Sequence, residues 1–299
     1  MSILRDNSNG GPDELRRLIS KGAVVAPGAY NGVSALIAQQ AGFEALYMSG
    51  SGVAGNMGLP DLSMTTLTEV VEDARRIVSV SRLPLIVDAD TGFGETMNVV
   101  RTTRMMEDAG VAAIHLEDQV LPKRCGHLSG KKVVPLDEMV KKIRAAVSAR
   151  RNENFMIIAR TDARAVEGVK EAIERSKEYV EAGADAIFTE ALESRDEFRE
   201  FARELDVPLL ANMTEFGKSP LLSVDELEEI GYRIVIFPLT GFRVSLKAVK
   251  DSYIQLKRDG TQNNFLDRLM TRKDYYDLIG YNEYEKEDNE IFNYKGVKK

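Results

Sequence analysis

The chain has 299 residues, of which 43% are apolar and 29% are charged, and it contains no tryptophan. This length is typical of two ordinary domains or of one large α/β domain. Its 40 basic and 47 acidic residues give a net charge of −7, which argues against a nucleic-acid backbone as a general partner.

A single cysteine, Cys125, cannot form an internal disulfide bond, and this is typical of a protein in a reducing compartment. The first residues, MSILRDNSNGGPDE, contain no apolar stretch after a basic start, so we expect no secretory signal. No apolar run approaches the roughly 20 residues that span a bilayer. The sequence therefore predicts a soluble cytoplasmic protein with no membrane partner.

Eight short apolar segments rich in β-forming residues alternate with longer amphipathic stretches. Most of them are unbroken apolar runs, as expected for strands that are covered on both faces of a parallel sheet. The predicted strands span residues 24–27, 44–49, 84–90, 111–118, 155–161, 184–190, 207–212 and 233–238.

Four helix-to-strand junctions share one pattern, in which an amphipathic stretch ends at a glycine and an apolar run follows. Glycine tolerates the left-handed conformation that terminates a helix, and the four are Gly42, Gly110, Gly183 and Gly231. The repetition predicts a single α/β domain over residues 1–299, with a (β/α)8 TIM-type barrel at about 20–260. A doubly wound open sheet is the alternative, but no G-x-G-x-x-G follows its first strand.

Residues 261–299 form a polar tail that contains Tyr275, Tyr276, Tyr281, Tyr284 and Tyr294. Its apolar spacing predicts amphipathic helices outside the barrel. Capping of the chain's own barrel and docking on a neighbouring subunit are both compatible with this pattern.

Acidic residues stand where three of the predicted strands end. In a parallel barrel, functional groups gather at these ends. Any one of Asp88, Asp90, Glu117 and Glu190 could be a simple helix N-cap. Four like charges at one mouth, however, require a cation, and oxygen ligands without a His/Cys cluster favour Mg²⁺ or Mn²⁺.

Arg160 ends the fifth predicted strand, and its guanidinium suits bidentate capture of a substrate carboxylate. A salt bridge to Glu190 or Asp162 is equally compatible with the spacing. Together with the acidic cluster, Arg160 predicts a small, multiply anionic carboxylic acid as substrate.

The segment PKRCGHLSGKK, residues 122–132, holds Cys125 among Lys123, Arg124, Lys131 and Lys132. Surrounding cations lower the pKa of a thiol, and a thiolate is a usable nucleophile or acid/base. An inert core cysteine is the alternative, and the polar surroundings disfavour it. A zinc site or a Cys–His pair lacks further partners, so we expect His127 to support the loop by hydrogen bonding.

The motifs YMSGSGVA, LPDL, DADTGFG, HLEDQ, PKRCGH, ARTDA, NMTEFG, GFR and TRKDYY resemble the isocitrate lyase and phosphoenolpyruvate mutase superfamily, and within it the 2-methylisocitrate lyases. The resemblance runs from about residue 20 into the C-terminal region. It implies a barrel whose eighth helix is swapped between the subunits of a homotetramer. It also implies an Mg²⁺-dependent retro-Claisen cleavage of 2-methylisocitrate into pyruvate and succinate.

The resemblance also implies a role for individual residues. Cys125 corresponds to the general acid, with its basic neighbours stabilising the thiolate, and Tyr47 to a proton-transfer tyrosine whose pKa must be lowered for that role. The metal-site positions are Asp61, Asp88, Asp90 and Glu117. The substrate-binding positions are Ser49, Gly50, Ser51, Gly126, Arg160, Glu190, Asn212, Thr214, Arg243 and Arg272, with Lys123 and His127 in support.

Two departures from the bacterial 2-methylisocitrate lyases concern the substrate. This chain reads SGS and KRCGHLSGK where those enzymes read SGG and KRCGHRPNK. The Leu-Ser-Gly version resembles isocitrate and dimethylmalate lyases, although the chain lacks the large insertions of a true isocitrate lyase. The alternatives are a 2,3-dimethylmalate or isocitrate lyase and an oxaloacetate hydrolase.

Overall fold

The structure is a computed structural model that describes residues 10–293. These residues form two compact units, 10–242 and 243–293. Residues 1–9 and 294–299 lie outside this description, and with them Tyr294 and most of the N-terminal segment in which no secretory signal was expected.

The first unit contains one closed sheet of eight parallel strands, in the order β1-β8-β7-β6-β5-β4-β3-β2. The sheet closes between β1 and β2, where the backbone N–H of Ala29 donates to the carbonyl oxygen of Tyr47 at 2.8 Å. The strands are β1 Val24–Pro27, β2 Leu46–Met48, β3 Leu85–Asp88, β4 Ala113–Glu117, β5 Met156–Thr161, β6 Ala186–Thr189, β7 Leu209–Asn212 and β8 Ile234–Phe237. All eight predicted strands and the parallel barrel are confirmed, and each strand falls within its predicted range.

Alternate residues of each strand enter two different apolar cores. In β3, Ile86 joins the barrel interior, whereas Leu85 and Val87 pack outward against the helices. Phe188 likewise points inward from β6, and Ile187 points outward. Since both faces of the sheet are buried, the strands read as unbroken apolar runs.

Helices surround the barrel, and three of them begin with reciprocal capping boxes at Asn31, Thr66 and Ser223. The ten helices within this unit are α1 Gly11–Ile19, α2 Gly32–Gln40, α3 Gly50–Asn56, α4 Leu67–Val80, α5 Thr96–Asp108, α6 Leu136–Ala149, α7 Arg164–Glu167, α8 Val169–Glu181, α9 Arg195–Glu204 and α10 Val224–Ile230. The four glycines predicted to end helices all have positive φ, from +82° at Gly110 to +121° at Gly231.

A long helix, α11 (Thr240–Asp259), begins in the first unit and continues in the second. The second unit also contains a 3-10 helix over Asn263–Arg268, α12 (Arg272–Ile279) and α13 (Tyr281–Phe292). Tyr276 stacks on Tyr281 across the junction of α12 and α13, with ring centroids 4.5 Å apart. Helices in the tyrosine-rich tail are therefore confirmed. None of the helices described between residues 10 and 293 has the length and apolar character needed to cross a membrane.

Candidate active site

The carboxyl ends of β3, β4 and β5 bring the predicted polar residues to one mouth of the barrel. The register of these strands places Asp88 beside His115, and Glu117 beside Arg160. All four side chains are buried. The parallel topology therefore converts residues that are far apart in sequence into one cluster, as predicted from the strand ends.

Asp88 is held by the backbone on two sides. The N–H of Asp90 donates to its Oδ1 at 3.0 Å, and the N–H of Gly50 donates to its Oδ2 at 3.1 Å. A Cβ at Gly50 would lie 3.1 Å from that oxygen, so a side chain here would press on the carboxylate. Gly50, buried Ser49 and half-buried Ser51 thus lie at the start of α3, and Gly50 borders the two aspartates.

A buried lysine neutralises part of the acidic cluster. Lys123 forms an ion pair with Asp61, and its Nζ lies 2.9 Å from Oδ1 of Asp90. Burial opposes its protonation, but Asp90, Asp88 and further carboxylates raise the pKa of Lys123, so it stays charged. Lys123 therefore lies between two of the four predicted metal ligands. Its predicted supporting role stays a prediction.

The predicted four-carboxylate metal cage is not formed by direct contact. Within residues 10–293, no group of three or more His, Cys, Asp or Glu side chains is arranged to hold a metal ion. The physical reason is that Lys123 binds both Asp61 and Asp90. Asp88, Asp90 and Glu117 form a smaller set at the mouth, but their three side chains are not placed to hold an ion by themselves.

The acidic charge and the oxygen donors of this smaller set still suit a cation. Burial and then Asp88 raise the pKa of Asp90 to about 6, and burial raises the pKa of Glu117 well above its usual range. Neither carboxylate oxygen of Glu117 has a hydrogen-bond partner. Buried carboxylates with a raised pKa and without hydrogen bonds are stabilised by a bound cation. The oxygen donors of these residues therefore fit Mg²⁺ or Mn²⁺.

Tyr47 and His115 form a buried pair under this cluster. The Tyr47 hydroxyl lies 2.8 Å from Nε2 of His115, which is 3.5 Å from Oδ1 of Asp88. Burial lowers the pKa of His115 to about 4, so its imidazole is neutral at neutral pH. Burial and then Asp88 raise the pKa of Tyr47 well above 10. The surrounding side chains therefore do not supply the lowered pKa that a proton-transfer role requires.

Arg160 makes both of the salt bridges weighed from the sequence. Its Nε donates to Oδ2 of Asp162 at 3.0 Å, and its Nη2 lies 3.7 Å from Oε1 of Glu190. Its Nη1 is 3.3 Å from Glu117, and the guanidinium lies over the ring of Phe188. These contacts orient a buried cation within the mouth.

Glu190 connects the predicted substrate-binding residues of neighbouring strands. Asn212 donates from Nδ2 to its Oε2 at 3.2 Å, and the N–H of Thr214 donates to Oδ1 of Asn212 at 3.1 Å. His127 approaches the same carboxylate, with Nε2 3.3 Å from Oε1. Glu190, Asn212 and Thr214 are therefore brought together, as their common prediction requires.

The segment from Gln119 to Val133, called the thiol loop below, folds onto this mouth. Its ends pair as an antiparallel bridge between these two residues. Gly126 is buried against Glu190, and a Cβ at this position would overlap that carboxylate. Nδ1 of His127 accepts a hydrogen bond from the backbone N–H of Lys218 at 3.0 Å, a contact compatible with its predicted supporting role, which stays a prediction.

The flanking cations do not make the thiol acidic, and that prediction is wrong. The residue Cys125 as a whole is exposed, but neighbouring groups shield its sulfur from water. This shielding raises the pKa of the thiol. Glu190 adds to the increase, against a backbone hydrogen bond from His127 that lowers it. Two of the four flanking cations have carboxylate partners of their own: Lys123 binds Asp61 and Asp90, and Lys131 binds Asp162. A thiol with a raised pKa keeps its proton, which is the form that a general acid needs.

Comparison with known proteins identifies the family. The family model described as phosphoenolpyruvate phosphomutase matches residues 15–257. The chain is 57% identical to the 2-methylisocitrate lyase of Aeropyrum pernix over 278 residues, which are 93% of this chain and 90% of the relative. A solved 2,3-dimethylmalate lyase, described as a PEP mutase/isocitrate lyase superfamily member, matches with a TM-score of 0.89 and 40% identity over 96% of this chain and 98% of that chain. This chain belongs to the phosphoenolpyruvate mutase/isocitrate lyase superfamily.

The superfamily resemblance predicted from the motifs is confirmed, and with it the class of enzyme, a carbon–carbon lyase of the oxo-acid-lyase type. Metal binding occurs within the superfamily. A phosphonopyruvate hydrolase solved in complex with oxalate and Mg²⁺ matches with a TM-score of 0.85 and 31% identity over 95% of this chain and 99% of that chain.

Two predicted substrate-binding residues of this superfamily member lie in the second unit. Arg243 is within α11, and Arg272 is the first residue of α12. Their roles stay predictions.

Sequence reasoning did not single out His115 as a member of the site. His115 had a signal, because it is a polar residue in an otherwise apolar strand, two positions before Glu117 and on the same face. Asp162 and Lys131 were both named from the sequence, but their contact with each other had no signal, since it joins two segments that are 31 residues apart.

Proposed function

We propose that this chain cleaves 2-methylisocitrate into pyruvate and succinate, with Cys125 as the general acid. The observation that carries the proposal is the packing of the thiol loop on the barrel mouth, where Gly126 contacts Glu190 beside buried Arg160. Through this contact the Cys-Gly-His motif lies at the mouth that holds the acidic cluster. The identity of 57% with a 2-methylisocitrate lyase supports the choice of substrate.

Asp88, Asp90 and Glu117 would hold Mg²⁺, or Mn²⁺ in its place, while Asp61 acts through Lys123. The absence of hydrogen bonds to the Glu117 oxygens and the raised pKa of Asp90 support this assignment. When bound, the ion supplies positive charge that stabilises oxygen atoms of the substrate. Arg160 binds a carboxylate, and the segment Ser49–Gly50–Ser51 contacts the half of the substrate that becomes pyruvate.

The chemistry conserves atoms and electrons without an oxidant. A base removes the proton of the substrate hydroxyl, and the carbon–carbon bond breaks as the pyruvate carbonyl forms. The bonding electrons remain on the succinate half, and the Cys125 thiol donates a proton to that carbon. Since the pKa of Cys125 is raised, the thiol carries this proton at neutral pH. Tyr47 donates or accepts a hydrogen bond with His115 next to Asp88, and its raised pKa makes it a group that orients the site rather than the base of this step.

The test is release of pyruvate from 2-methylisocitrate by wild-type protein and by Cys125→Ser, with Mg²⁺ present. We expect the substitution to lower kcat by roughly 10² to 10⁴-fold, the usual contribution of a positioned acid. Ser129→Ala, an exposed change in the same loop, is the matched control and should retain wild-type turnover. Full activity of folded Cys125→Ser would exclude the general-acid role.

A related 2-hydroxy-dicarboxylate lyase is the second candidate. The similarity to a 2,3-dimethylmalate lyase and the Leu128–Ser129–Gly130 sequence after His127 favour it. A panel of 2-methylisocitrate, isocitrate, 2,3-dimethylmalate and oxaloacetate separates these substrates by kcat/KM. Acetate and oxalate as the products would instead identify an oxaloacetate hydrolase.

The assembly is a homotetramer in which α11, the eighth barrel helix, is exchanged between subunits. Exposed apolar residues on this helix support the assignment, among them Val244, Leu246, Val249, Tyr253 and Ile254. Light scattering during gel filtration should give the mass of four chains. A monomer at micromolar concentration would exclude the tetramer.

A further inference from the structure

We propose that Lys131 is a positioning residue that holds the thiol loop closed and thereby sets the location of the Cys125 thiol. Lys131 stands near the far end of the loop, six residues after the cysteine. The inference extends the proposed function, because Cys125 is the group that is positioned. The contacts that carry it, however, are independent of the substrate.

Lys131 joins the tip of the thiol loop to the barrel. Its Nζ donates to the carbonyl oxygen of Gly126 and lies 2.6 Å from Oδ1 of Asp162. The side chain of Lys131 is only 1% exposed, and that of Asp162 is fully buried. Because Gly126 follows Cys125 directly, a fixed Gly126 carbonyl restrains the peptide that carries the thiol.

The barrel side of this contact is rigid. Arg160 donates to Oδ2 of Asp162 at 3.0 Å, and the N–H of Asp162 donates to Oδ1 of Asp118 at 2.8 Å. Oδ2 of Asp118 accepts hydrogen bonds from the hydroxyls of Thr161 and Tyr179, both at 2.8 Å. Lys131 therefore binds an aspartate whose side chain and backbone are both held in place.

The stem of the thiol loop is stabilised by contacts of its own. Gln119 donates from Nε2 to the carbonyl of Arg124 and accepts from its N–H, both at 2.9 Å. The N–H of Val120 donates to the carbonyl of Lys132 at 2.8 Å. None of these bonds involves the Lys131 side chain. We therefore expect loss of that side chain to release the tip while the stem stays formed.

The next residue provides a matched control. Lys132 carries the same charge one position later, but its side chain is exposed. A methionine at either position removes one positive charge and keeps a side chain of similar length. Any effect confined to Lys131→Met must then come from the contacts with Gly126 and Asp162 rather than from net charge.

The experiment uses the single cysteine as its own probe. We expect iodoacetamide to alkylate Cys125 roughly tenfold faster in Lys131→Met than in wild-type protein, because the open loop becomes more populated. Although the residue is exposed as a whole, its sulfur is shielded by its surroundings in the closed loop, and release of the tip removes that shielding. Lys132→Met should react at the wild-type rate. Rates taken from pH 6 to 10, a range of about 2 units on either side of an ordinary thiol pKa, separate a change in access from a change in pKa. In turnover assays, kcat should fall by more than KM changes, since all the predicted substrate-binding residues except Gly126 lie outside the thiol loop.

Lys131→Met removes one of the cations that pair with buried Asp162, and this could prevent folding. A second variant covers that case. Lys131→Met/Asp162→Asn removes the contact without the charge imbalance, and it should show the same faster alkylation. Alkylation of folded variants at the wild-type rate would overturn the proposal, as would an equal increase in Lys132→Met. Neither result depends on turnover, so failure of the general-acid role for Cys125 is recognised separately.

Discussion

Gly126 of the thiol loop packs directly on the carboxylate of Glu190, with no room for a Cβ between them. Glu190 is itself held by Asn212 and approached by His127 and Arg160. The Glu190 carboxylate is therefore restrained from moving away from the loop. Because of this, the loop reaches the mouth only with a glycine at position 126.

Gly126→Ala should prevent the thiol loop from reaching this position. We expect kcat/KM to fall by roughly 10²-fold, the cost of displacing a catalytic group by about 1 Å. The thermal midpoint should stay near that of wild-type protein, because the loop is at the surface of the barrel. Ser129→Ala is the control, and wild-type kcat/KM in Gly126→Ala would contradict the tight contact.

Removal of Mg²⁺ with a chelator should abolish turnover, and Asp90→Asn should weaken Mg²⁺ binding by at least about tenfold. The pKa of Asp90 is raised to about 6, so protons compete with the metal ion below that pH. Affinity measured by calorimetry should therefore decrease as the pH falls from 8 to 5, a range that brackets this pKa with about 1 unit below it. The control is Asp196→Asn on α9, and an equal loss of affinity there would argue against the assigned site.

Burial of His115 should make the protein less stable in acid. The unfolded chain protonates this imidazole near pH 6.5, but the folded protein does so only near pH 4. The contribution of His115 to the free energy of unfolding should thus fall by about 3 kcal/mol as the pH drops between these values. Buried carboxylates with a raised pKa, such as Asp90, act in the opposite direction, so the difference between wild-type protein and a His115 variant isolates the effect. Urea titrations of wild-type protein and His115→Gln at both ends of this range measure the difference. If His115→Gln loses as much stability as wild-type protein, another group is responsible.

Arg160→Lys keeps a cation at the mouth but removes the planar guanidinium that contacts Asp162, Glu117 and Phe188. We expect kcat/KM to fall by roughly 10- to 100-fold, mainly through KM, because a lysine cannot bind a carboxylate in bidentate fashion. Arg164→Lys, at a salt bridge with Glu197, should have little effect. Steady-state kinetics of both variants decide the matter, and an unchanged KM in Arg160→Lys would rule out the carboxylate contact.

The barrel and most of the residues at its mouth could be predicted from local sequence patterns. Strands buried on both faces must be apolar throughout, and helices that end in a left-handed residue favour glycine, so both signals are local. The parallel topology then requires Asp88, Glu117 and Arg160 to lie at one end. These inferences need no knowledge of which distant side chains touch.

The partners of the thiol-loop cations could not be predicted in the same way, because they depend on contacts formed in the folded chain. Lys123 pairs with Asp61, 62 residues away, and Lys131 pairs with Asp162, 31 residues away. Local sequence suggested cations around a thiol and hence a lowered pKa, but these two lysines neutralise buried carboxylates, and burial raises the pKa of Cys125. The energy of a charge depends on its nearest partner and its solvation, and both are set by the folded arrangement rather than by sequence neighbours.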